Sequence, residues 1–103
     1  MPSPHNILEE AAFKLIRQAA IYLPADVKLA LQRAYAQETS STGKTQLKAI
    51  LDNVALAEKQ RAPICQDTGT IIFYVRAGSD FKDLAVVDAA LIAATRKATA
   101  EIP

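Results

Sequence analysis

The stretch Arg61–Val75, RAPICQDTGTIIFYV, concentrates the groups of this 103-residue chain that could do chemistry. Its one cysteine, Cys65, follows a proline-stiffened approach at Pro63 and precedes a conformationally permissive position at Gly69. Immediately after it come an amide, Gln66, a carboxylate, Asp67, and a hydroxyl, Thr68. A thiolate is a nucleophile and a ligand for soft metals, and a carboxylate beside it can exchange a proton or orient a hydroxyl. Composition alone favours the bland alternative, an inert core thiol, because free cysteine is among the most frequently buried residues. Against that, polar groups held in a segment that dives into apolar sequence must be hydrogen-bonded or used.

Two other stretches carry less. The run STGKT resembles the end of a phosphate-binding loop, but the glycine required five positions before Gly43 is replaced by Glu38, and the preceding segment reads as helix where a strand is needed. His5, the sole histidine, has no second histidine or cysteine at ligand spacing and reads as a solvated residue near a fraying terminus.

The elements that must position Cys65 follow from periodicity. From Asn6 to Leu23 a stripe of Ile7, Leu8, Ala11, Leu15, Ile16, Ala19, Ala20 and Leu23 predicts a first helix. Pro24 suits a first helical position, and Val27, Leu31, Ala34 and Tyr35 carry a second helix to about Gln37. The hydroxyls and glycine of ETSSTGK favour a turn or N-cap, after which Leu47, Ile50, Leu51, Val54 and Ala57 mark a third helix that must stop before Pro63. Thr70–Ala77 reads as a strand covered on both faces, ended by Gly78. Asp80 and Asp83 suit the first turn of a last helix striped by Leu84, Val87, Leu91, Ala94, Ala98 and Ile102. The expected fold class is α+β: about four helices and one principal strand, in a single domain over residues 1–103. One strand cannot make a sheet alone, so its edges call for further polypeptide or a second chain.

Twelve basic residues against eleven acidic ones leave a net charge of +1, which gives no field to attract nucleic acid or an anionic membrane surface. No apolar run approaches the roughly 20 residues of a membrane span, and the first residues lack an export-signal pattern. A soluble, cytoplasmic protein is expected. A single cysteine excludes an internal disulfide.

The segment PICQDTGT resembles the one that carries the first cluster-binding cysteine in the iron-sulfur hydro-lyases, the class I fumarases and L(+)-tartrate dehydratases. ETSSTGK, ILDNVALA and FYVRAGSDF extend the resemblance over at least Glu38–Phe81, and the pattern is most similar to the alpha subunit of the two-subunit type. The resemblance implies a [4Fe-4S] cluster held by three cysteines, with one iron left open to act on substrate, and reversible addition of water across a carbon–carbon double bond. It implies that Cys65 is a cluster ligand, that Gln66, Asp67 and Thr68 line the pocket of a small dicarboxylate, and that Asp67 handles a proton or hydroxyl.

Fumarate and malate are the first substrate pair expected, tartrate and oxaloacetate the alternative. With one cysteine the chain cannot complete such a site, so it is expected to be an N-terminal portion of an alpha subunit, truncated or split, inactive by itself. Its expected partners are the rest of the alpha subunit, a beta subunit, or another copy. The competing class is a non-catalytic helical interaction module with a buried structural cysteine.

Overall fold

The chain starts its first helix where a hydroxyl and a proline coincide. Ser3 Oγ accepts from the Asn6 backbone N–H at 3.2 Å, Pro4 occupies the first helical position, and α1 runs Pro4–Ile21. In this computed structural model residues 1–66 and 69–103 are described. Among these residues three further α-helices follow: α2, Ala25–Gln37; α3, Ser41–Gln60; and α4, Val87–Glu101, which continues from one turn of 3-10 helix at Leu84–Val86. Helix α3 starts as its hydroxyl-rich approach predicts. Ser40 Oγ accepts from Gly43 N–H at 3.2 Å, and Glu38 Oε1 accepts from the backbone N–H groups of Thr39 and Ser40 at 3.0 and 2.9 Å. A Cβ on residue 43 would fall 2.7 Å from Glu38 Cδ, so the glycine lets this carboxylate lie against the helix start.

The Cα trace divides into two compact units, Met1–Arg17 with Gln66–Pro103, and Gln18–Cys65. In the first, Ala12 and Phe13 are buried with Ala94 and Ala98, flanked by Ile16, Phe73, Leu91 and Ile102. The alanines let backbones approach closely while Phe13 fills the remaining space. The Phe13 ring also receives the Arg17 guanidinium at 4.7 Å and the Lys97 ammonium at 4.6 Å from its centroid.

In the second unit α2 and α3 pack on each other, with Ile21, Val54 and Ala57 buried. The Lys44 ammonium sits 4.9 Å from the Tyr35 ring, and Lys28 reaches Glu58 at 3.8 Å. On the exposed face of α3 the Asp52 carboxylate, 2.8 Å from Lys48 Nζ, holds that ammonium above its ordinary value, chiefly through the hydrogen bond and then through charge.

Two expectations are overturned. The fold class is helical, not α+β: no strand occurs among the described residues, and Thr70–Ala77 has no regular secondary structure. A strand exists only through a ladder partner, and β-prone residues cannot supply one. Nor is the segment covered on both faces. Phe73 packs against the first unit's core, but Ile71, Ile72, Tyr74 and Val75 are 52–93% exposed.

The apolar stripe expected on α1 is only in part the packed face: Ile16 lies against the first unit's core, and Leu8, Ala20 and Leu23 are partly buried. Ile7 and Leu15 are more than half exposed, whereas Ala12, Phe13 and Ile21, outside that stripe, are buried. The bulk of Phe13 and the smallness of its alanine neighbours decide which face of α1 packs.

Candidate functional site

The approach to Cys65 begins with the way α3 stops. Pro63 forbids continuation, and Arg61 takes a left-handed backbone conformation with φ 52° and ψ 42°. This lets Arg61 N–H reach the Glu58 carbonyl at 3.4 Å and Ala62 N–H reach the Ala57 carbonyl at 3.0 Å. The pair of bonds satisfies carbonyls that the helix end would leave open, in the pattern usually built around glycine. A side chain in this region costs about 1 kcal/mol or more, so the stop is specified at the expense of local strain.

Beyond the stop the chain is fastened twice at one residue. Ile64 N–H donates to the Ala20 carbonyl at the end of α1, at 2.9 Å. Ile64 C=O accepts from Asn53 Nδ2 on α3, at 2.7 Å. The next residue is Cys65, a free thiol, exposed, and Gln66 after it is exposed as well. The buried structural thiol that composition favours is therefore not what the chain presents.

The assignments at Asp67 and Thr68 lie outside the described residues. Among the described residues no three or more His, Cys, Asp or Glu side chains gather where they could hold a metal ion. His5 is not solvated freely: its Nδ1 lies 3.6 Å from Glu9 Oε2, with the ring partly covered.

An open groove of about 550 Å³ lies in the first unit, with Ile71, Phe73, Leu91 and Ile92 as its apolar lining and Asp88 and Arg96 as its charges. No helix among the described residues is long and apolar enough to cross a membrane.

Asn53 is the residue that sequence reading missed. Its signal was present, since asparagine in the middle of a helix is a poor helix former that competes with the backbone for hydrogen bonds. An amide at such a position, on an exposed face, points to work outside the helix.

Comparison with known proteins is consistent over nearly the whole chain. The profile of the fumarate hydratase (Fumerase) family matches residues 9–103. The chain is 39% identical over 98 residues to the "Putative L(+)-tartrate dehydratase subunit alpha" of Methanocaldococcus jannaschii, covering 93% of this chain and 34% of that protein. It is 35% identical over 98 residues to the L(+)-tartrate dehydratase subunit alpha of Escherichia coli K12 and to that of Shigella boydii, covering 95% of this chain and 32% of each relative. The chain thus spans about a third of the length of the curated relatives it matches. A family match over residues 9–103 together with relatives at 35–39% identity leaves one classification: the chain belongs to the fumarate hydratase family.

Proposed function

We propose that this chain contributes the Cys65 loop to an iron-sulfur hydro-lyase that adds water reversibly to a four-carbon dicarboxylate. The observation that carries the reading is the exposed thiol of Cys65, held on a fastened loop directly before Gln66. An exposed thiol fits one ligand position of a [4Fe-4S] cluster, since cysteine thiolate is the usual protein ligand of such centres. The sequence has one cysteine, so the other thiolates must come from outside these 103 residues. When bound, the cluster supplies an open iron that polarises the substrate's hydroxyl and carboxylate as a Lewis acid.

This chain's own residues take the remaining roles. Cys65 gives up its proton and provides sulfur. Gln66 offers amide donors to a substrate carboxylate, and Thr68 a hydroxyl. Asp67 is proposed to move the proton that accompanies hydroxide addition or loss across the double bond.

Fumarate and malate remain the first pair to test, from the family description, and the names of the relatives favour L(+)-tartrate as the second. The proposed partners are the remaining alpha-subunit polypeptide and a beta subunit, in the cytoplasm, where thiols stay reduced. The test is steady-state turnover of the assembled enzyme on malate and on L(+)-tartrate, followed by the ultraviolet absorbance of fumarate and of oxaloacetate. Turnover of either substrate that disappears on removal of iron supports the reading; no turnover of either by an iron-loaded assembly contradicts it. The isolated chain, reconstituted with iron and sulfide, is expected to show no stable visible absorbance of a cluster.

A further inference from the structure

We infer that Asn53 is a positioning residue for Cys65. The peptide group joining Ile64 to Cys65 is a rigid plane that contains the Ile64 carbonyl and the Cys65 nitrogen. Asn53 Nδ2 holds that carbonyl at 2.7 Å, and Ala20 C=O holds the Ile64 N–H at 2.9 Å, so the residue before the thiol is tied to α3 on one side and α1 on the other. Fixing the plane fixes where the Cys65 nitrogen and Cα lie, and so the point from which the thiol side chain departs, with rotation about N–Cα and χ1 left to set its final direction.

Helix α3 does not need this amide. Its last turn is closed by the backbone bonds to Ala57 and Glu58, and its buried face is made by Val54 and Ala57. Asn53 lies off that face, exposed, and asparagine weakens a helix relative to alanine. The hydrogen bond to Ile64 is what the residue contributes.

The purpose, presenting a thiolate ligand from a fixed point, rests on the hydro-lyase reading; the mechanical link does not. The experiment uses the full chain, reduced and free of iron, with Asn53→Asp and Asn53→Ala. Asn53→Asp keeps the size of the side chain but offers the Ile64 carbonyl only oxygens at neutral pH, and Asn53→Ala removes the group while favouring the helix.

Both variants are expected to change the rate of Cys65 alkylation by iodoacetamide by about three- to tenfold, the range set by one side-chain hydrogen bond, with helix content by circular dichroism unchanged. The protection of the Ile64 amide against hydrogen exchange falls in both near neutral pH. In Asn53→Asp alone it recovers at about pH 3, where a protonated carboxyl can donate again. The recovery shows that the hydrogen bond itself has returned, and the alkylation rate shows whether it positions the thiol: a bond that only holds the helix stop would leave alkylation at the wild-type rate while protection falls. That result, or alkylation and protection both equal to wild type in Asn53→Ala, would overturn the proposal. Because neither readout involves iron, failure of the hydro-lyase reading shows separately, as a wild-type assembly that binds no cluster.

Discussion

Residues 61–66 and residues 70–77 lie only a few positions apart, yet they are held by opposite means. The first segment is held chiefly by backbone hydrogen bonds: Arg61, Ala62 and Ile64 all donate, and Ile64 also accepts from Asn53. The second is rich in apolar side chains, and among them only Phe73 is packed against a core. Order in the loop comes from directional bonds to helix ends, whereas the TIIFYVRA run has surface to bury and little in this chain to bury it against. A loop's definition follows its hydrogen-bond partners; hydrophobicity alone defines nothing until a second surface arrives.

That contrast can be broken or sharpened by substitution. The largest stability effect is expected at Phe73→Ala, which removes the one side chain of 70–77 lodged in the core and is expected to lower unfolding free energy by about 2 kcal/mol in chemical denaturation, less than a fully buried phenylalanine because the ring is only partly covered. Next comes Arg61→Gly at the strained helix stop. Relief of the left-handed conformation outweighs the greater freedom of glycine in the unfolded chain, so a gain of about 0.5–1 kcal/mol is expected, read as a higher melting midpoint. The smallest belongs to Tyr74→Ser. A side chain 93% exposed gives up almost no packing, and a change within about 0.5 kcal/mol is expected. A destabilisation at Tyr74 matching that at Phe73 would mean that the segment is packed throughout, and the contrast between the two regions would fail.

The same contrast explains what could be read from the residues beforehand. Helix α3, a hydroxyl-rich turn or N-cap within ETSSTGK, which the structure places at Ser40, and an end before Pro63 were legible because caps and breakers act locally, within a few positions. The position of Cys65 just past a helix end followed from them. The strand at 70–77 was misjudged because β propensity measures fitness for a pleated surface, and the ladder that creates the surface is non-local.

The buried face of α1 was legible only in part, for a related reason. Ile7 and Leu15 are as apolar as anything on the helix, and only the alanines of α4 determine that Ala12 and Phe13 pack in their place. The bond from Asn53 to Ile64 spans eleven positions and needed both the helix and the turn before it could be seen. Asp67 and Thr68, assigned by resemblance, remain proposals that turnover measurements must decide.

The central claim is that Cys65 supplies sulfur to iron, and Cys65→Ser in the assembled enzyme addresses it most directly. Visible absorbance of the purified variant, with electron paramagnetic resonance of the dithionite-reduced sample, is expected to show loss of the cluster signal together with turnover, while the variant chain keeps wild-type helix content and assembles normally. A Cys65→Ser enzyme with a full cluster signal and wild-type turnover would contradict the account.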